Sequence, residues 1–177
     1  MSSSFITNKD KFLSDIINGI LPKTDAVDFL VGYFYYSGYV QLSENLKSKH
    51  IRILVGLDIE IQISKHVCEV ENFRQKLLSR GVLKEQYYSE FVKAFNDTDF
   101  LDTAEKIEQF KMFYAKILDG TLEIRKTLDP CHSKMYLFVY NESMNEGGEL
   151  PGVMITGSSN LSYQGMQGRL ELNARFN

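Results

Sequence analysis

Two apolar runs near the start of the chain constrain the fold more than any other feature. AVDFLVGYFYYSG (26–38) and IRILVGLDI (51–59) are rich in β-branched and aromatic residues. Such residues suit strands, and the closing Ser-Gly marks a stop. Between the runs, Ser37 is placed to cap a short amphipathic helix through Leu42, Leu46 and Lys49. Strand, helix, strand at this spacing predicts a βαβ unit with a right-handed crossover.

The rest of the chain adds elements around that unit. Phe12, Leu13, Ile16, Ile17, Ile20 and Leu21 form one helix face, and Pro22 stops it. Residues 62–118 read as mostly helical, with one stripe over Val67, Val70, Phe73, Leu77 and Leu78. Phe91, Val92 and Phe95 make a second stripe; Ile107, Phe110, Phe113, Tyr114 and Ile117 make a third. These stripes are core-packing faces. After Gly120 the texture changes to short strands at 122–127, 133–140, 152–158 and 170–176, with a hairpin connection over 141–152. The expected fold class is α/β: a mixed β-sheet flanked by helices. A length of 177 residues suits one domain, 1–177. The chain stops just after an apparent strand, which reads as a fragment of a longer protein.

Charge and cysteine content narrow the function classes. The net charge of −3 and pI of about 5.7 oppose broad, non-specific coating of nucleic acid, but leave room for a small positive pocket. Cys68 and Cys131 are too few for a disulfide scaffold, so a reducing, cytoplasmic setting is expected. No apolar run is long enough to span a bilayer, and MSSSFITNKDK is polar where a secretory peptide is apolar. No membrane role is expected.

The residues that carry chemistry lie late. His132 and Lys134 alternate on a strand, so they share a face and form a positive, nucleophile-bearing surface. Gly157-Ser158-Ser159-Asn160 follows the next strand, with small residues that let a ligand approach the backbone. Ser158 and Asn160 can offer hydrogen bonds to one oxyanion. Glu171 and Asn173 alternate on the last strand, and Glu171 can hold the imidazole of His132 through one ring nitrogen. Each piece alone is commonplace: a solvated edge, a turn, a surface carboxylate. Their order and shared strand context set them apart. His66, Cys68, Cys131 and His132 match no common zinc spacing, and no metal is expected; Cys131 is expected to pack.

His132-x-Lys134, then Gly157-Ser158-x-Asn160, then Glu171 resembles the signature of the phospholipase D superfamily. VGYFYYSGYVQLSENLKSKHIRILVG resembles the opening βαβ of that family's domain, and the likeness runs over roughly residues 25–177 with 62–118 as a helical insertion. It is nearest to the nuclease-like branch found in restriction endonucleases and fused to bacterial helicases. The resemblance implies a phospholipase D-like domain acting as an endonuclease on DNA without metal or cofactor. His132 is then the nucleophile that forms a phosphohistidine, oriented by Glu171. Lys134, Asn160, Ser158 and Ser159 are the expected phosphate ligands. The family's motif usually has an aspartate five residues after the lysine; here that position is Val139. The resemblance implies that this aspartate supports the site rather than reacts.

The chemistry also needs a general acid on the leaving oxygen. Neither His50 nor His66 has a Lys at the motif spacing. The resemblance implies two motifs paired across a twofold axis, so one copy here implies a homodimer with two facing copies of His132 at the interface. A fused helicase or ATPase domain is a further expected partner. The alternative reading is a catalytically inactive module that holds DNA phosphate for an attached motor.

Overall fold

The structure is a computed structural model, and it describes residues 4–9, 11–60, 103–144 and 151–177. The expected stripes at 67–78 and 91–95, together with His66 and Cys68, lie outside the described residues.

The chain forms an α/β fold on one seven-stranded mixed sheet. The strands are β1 (Ser4–Ile6), β2 (Thr24–Phe34), β3 (His50–Ile59), β4 (Leu122–Lys126), β5 (Met135–Tyr140), β6 (Gly152–Gly157) and β7 (Asn173–Phe176). Their order is β1-β7-β6-β5-β2-β3-β4. β2 pairs in parallel with β3, and β3 with β4; the other neighbours are antiparallel. Central β2 thus has a parallel partner on one side and antiparallel β5 on the other.

The helices follow from the apolar spacing. α1 (Leu13–Ile20) buries Leu13, Ile17 and Ile20, and Pro22 sits in the 3₁₀ turn that ends it. Asn8 stands in for a cap: its Oδ1 accepts from Leu13 N–H at 2.8 Å. α4 (Ala104–Asp119) buries Phe110, Phe113, Tyr114 and Ile117, as its stripe predicts. Phe113 meets Tyr39 edge-on at 4.8 Å and stacks near Phe34 at 6.4 Å. A phenylalanine buried this fully stabilises by about 1.5–3 kcal/mol. Lys116, on the same helix, donates to Lys47 O, Lys49 O and Thr121 Oγ1 at 3.1, 2.7 and 3.1 Å. Burial pushes its ammonium pKa down, and those acceptors compensate the buried charge.

Alternate strand positions enter the same core as the helices: Val27, Phe29 and Val31 on β2, Ile51, Ile53 and Val55 on β3, Tyr136 and Phe138 on β5. The opposite face is less covered, with Leu54 40% exposed and an Arg52–Asp28 ion pair across β2 and β3. No described helix is long and apolar enough to cross a membrane.

Several boundaries differ from expectation; the strand expected over 133–140 begins at Met135, so His132 and Lys134 precede it rather than alternate on it. The first strand ends at Phe34, and Tyr36–Val40 forms the short helix α2. Neighbours take over the hydrogen bonding there: Tyr35 N–H donates to Leu161 O, and Tyr36 N–H to Glu60 Oε2, both at 2.9 Å. A second short helix, α3 (Ser43–Leu46), completes the crossover. Ser37 is inside α2 rather than capping it, and its Oγ accepts from Tyr163 N–H at 3.3 Å. The last strand begins at Asn173 rather than Leu170, because Leu172 N–H donates to Ser158 Oγ at 3.0 Å instead of to a neighbouring strand.

Candidate functional site

The site forms where β2 outruns its antiparallel partner. β5 begins opposite Leu30, so Val31–Phe34 extend beyond it. Two segments fill the gap. One is Cys131–Lys134, the approach to β5; the other is Ser158–Ser162, which follows β6.

Asn160 is fixed by this arrangement. Its Oδ1 accepts from Tyr33 N–H at 2.9 Å, and Leu161 bridges Phe34. A backbone N–H can bond only to the amide oxygen, so the Asn160 NH₂ is the end left to donate to a ligand. On the other segment, Cys131 N–H donates to Gly56 O at 3.0 Å. A Cβ on Gly56 would stand 1.8 Å from Cys131 O, so only glycine admits this approach.

Gly32 is the floor of the site. A Cβ there would meet His132 Cδ2 at 3.1 Å, Asn160 Oδ1 at 3.2 Å and Lys134 Nζ at 3.5 Å. Imidazole, amide and ammonium from two segments thus share one small volume. The β2–β3 register shifts between Val31 and Tyr33, beside this glycine. Such irregularities re-aim side chains at strand ends. The glycine-interrupted run VGYF marks this close approach in the sequence, although the motif reading passed over Gly32.

Lys134 is 4% exposed, and its Nζ donates to His132 O at 2.6 Å. Burial pushes the Lys134 pKa below the ordinary lysine value, while Glu171 and Cys131 pull it back up. A bound anion would restore the lost solvation, so the ammonium is poised to gain from one. His132 is exposed and meets the Tyr33 ring edge-on at 6.3 Å.

The remaining expected residues sit differently. Glu171 accepts a short hydrogen bond from the Ser158 hydroxyl, rather than one from His132. Its action on the site is electrostatic, through Lys134. Ser158 also accepts from Leu172 N–H, so its hydroxyl is committed within the loop. Ser159, expected to bind phosphate, is 0% exposed, and its Oγ accepts from Asn173 Nδ2 at 2.9 Å. It supports the loop from below, as Tyr136 OH does by donating to Ser159 O at 2.9 Å. Val139 lies five strand positions beyond Lys134, about 16 Å along β5, and is 46% exposed. An aspartate there would not reach the His132–Lys134–Asn160 cluster. Among the described residues no group of three or more His, Cys, Asp or Glu side chains is arranged to hold a metal ion.

No protein-family model and no curated protein matches this sequence. What the site can do therefore rests on its geometry.

Replacing Gly32 tests the shared volume directly. Gly32→Ala puts a methyl group 3.1 Å from His132 and 3.2 Å from Asn160, so these two must yield by a few tenths of an ångström, while Lys134 Nζ at 3.5 Å is in ordinary contact. Because misplacements of this size are costly in preorganised sites, any turnover that the cluster carries should fall by about tenfold or more. Thermal unfolding should move little in comparison, since the two side chains displaced, His132 and Asn160, are polar and not fully buried. A turnover equal to the parent's would show that the three groups do not act on one ligand.

Proposed function

We propose that the chain is a phospholipase D-like phosphodiesterase that cuts DNA without a metal ion, through a phosphohistidine on His132. The observation that carries this reading is the convergence of His132, Lys134 and Asn160 on Gly32. A phosphodiester needs its non-bridging charge neutralised, a nucleophile, and a proton for the leaving oxygen. Lys134 and the Asn160 NH₂ bind the non-bridging oxygens. A ring nitrogen of neutral His132 attacks phosphorus; the N–P bond forms and the P–O bond to the leaving group breaks. Water then attacks phosphorus, giving its proton to the group that protonated the leaving oxygen; the N–P bond breaks and the imidazole is free again.

The leaving oxygen needs a proton from a second group. The described part of the chain places no other histidine at this cluster, since His50 opens β3 on the opposite end of the strand from Gly56 and Ile59. His132 is exposed, so a second copy of the chain can bring its own His132 to the same phosphate. A closed twofold dimer supplies both roles with one motif.

Cleavage of single-stranded circular DNA in excess EDTA, with supercoiled plasmid run alongside, tests this reading. The expected result is cleavage at a rate unchanged by EDTA, by a protein that sediments as a dimer. Activity lost in EDTA contradicts the metal-free route. Retarded but uncut DNA favours a second reading, a DNA-phosphate-binding module, to which the commitment of Ser158 to Glu171 lends support.

A further inference from the structure

A groove of about 500 Å³ opens beside the phosphate cluster and shares Asn160 and Glu171 with it. Its walls hold Tyr33, Tyr35 and Tyr163, with Arg169 at the rim. These tyrosines are 36%, 42% and 46% exposed. Tyr36, Tyr39, Tyr114 and Tyr136 are at most 2% exposed. Among the described residues, every tyrosine with an exposed ring lines this one groove.

The backbone explains how the rings come together. Tyr33 and Tyr35 flank Phe34, which is 0% exposed and packs in the core. Alternation along extended chain sends both tyrosines to the same, outer side. Tyr163 is brought opposite by its N–H bond to Ser37 Oγ and by the Leu161 bridge to Phe34. Tyr33 also touches the candidate nucleophile, meeting the His132 ring edge-on at 6.3 Å. The groove therefore begins at the reacting phosphate. Among the described residues Arg169 forms no ion pair, which leaves its guanidinium for a ligand.

We propose that this groove is a stacking subsite for unpaired bases next to the scissile phosphate, so that the substrate is single-stranded DNA. The inference rests on the phosphodiesterase reading and specifies its substrate. Exposed aromatic faces beside a backbone-binding cation form the common platform for single strands, because every base presents a π-face. Tyrosine rings expose little charge, so they add binding without making the protein basic. That fits a chain with net charge −3. The groove's volume suits a nucleotide-sized ligand. Bases stacked inside a duplex cannot enter it.

The test is fluorescence anisotropy at one fixed salt concentration, with the full chain and three labelled probes. They are a short oligothymidylate, a duplex of equal length, and an abasic strand with the same phosphates. Wild type should bind the single strand about tenfold or more tighter than the duplex or the abasic strand. Tyr35→Ala and Tyr163→Ala should each lose about that factor on the oligothymidylate alone, whereas Tyr35→Phe and Tyr163→Phe should retain it. Equal binding of all three probes, or alanine variants that bind like wild type, would overturn the proposal. His132-dependent nicking could persist in that case, and the phosphodiesterase reading would stand. Failure to bind any probe, together with absence of nicking, would sink both.

Discussion

His132→Ala should lower phosphodiester cleavage by on the order of 10³-fold or more, with the fold unchanged. The size follows from what is lost. The imidazole is the proposed nucleophile, and in a dimer its removal takes away the general acid as well. Stability should hold because His132 is exposed and its side chain makes no hydrogen bond among the described residues. Its carbonyl, which accepts from Lys134 Nζ, survives the substitution. Exposed substitutions of this kind move stability by about 0.5 kcal/mol or less. Single-turnover cleavage and thermal denaturation measured on the same samples check both halves. A variant that cuts at the parent rate would remove His132 from the chemistry.

Lys134→Met should separate activity from stability in the opposite sense. Cleavage should fall by about 10²–10³-fold, the usual cost of losing one preorganised donor to a developing anion. Stability at neutral pH should hold or rise, because the wild-type protein buries an ammonium at 4% exposure. The pH dependence has a definite sign. Burial lowers the folded-state pKa of Lys134 below the ordinary value of 10.5. Between the two values the unfolded chain binds more protons, so wild-type stability rises with pH across that window. Below it the penalty is fully present. The gap between Lys134→Met and wild type should therefore be widest near neutrality and close as the pH approaches 10.5. Phosphate should narrow it too, since a bound anion stabilises the charged form of wild type only. Denaturant melts at several pH values, with and without phosphate, measure this. A variant less stable than wild type at every pH would mean that the Lys134–His132 hydrogen bond outweighs the buried charge.

The sheet was legible where strand-forming residues run without interruption. β2, β3 and β4 through β6 fall close to their apolar segments, and the Ile107–Ile117 stripe lies on α4. β1 was not legible: Ser4–Ile6 is three residues long and is a strand only because β7 pairs with it. The turn at Tyr35 was also hidden. Residues 33–36 are all aromatic, and what ends the strand is the carboxylate of Glu60 and the carbonyl of Leu161, both distant in sequence.

The site was half legible for a similar reason. His132 and Lys134 do meet over Gly32, but both precede β5, so strand alternation is not what joins them, and local spacing does not show which hydroxyls are spent inside the loop. Ser158 and Ser159 look equally available in the sequence, yet one is held by Glu171 and Leu172 and the other faces Asn173. Gly32 lies a hundred residues from His132, and its part becomes visible only when β2 projects past β5. The glycine within an apolar strand was the available clue.

A covalent step on His132 leaves an intermediate that can be trapped. Labelled single-stranded DNA is mixed with protein in EDTA, quenched in alkaline denaturant, and run on a denaturing gel. A phosphohistidine survives base and is lost in acid. Wild type should give a labelled protein band with that stability, and His132→Ala none. Efficient cleavage with no labelled protein at any time, or a band that persists in His132→Ala, would contradict that step.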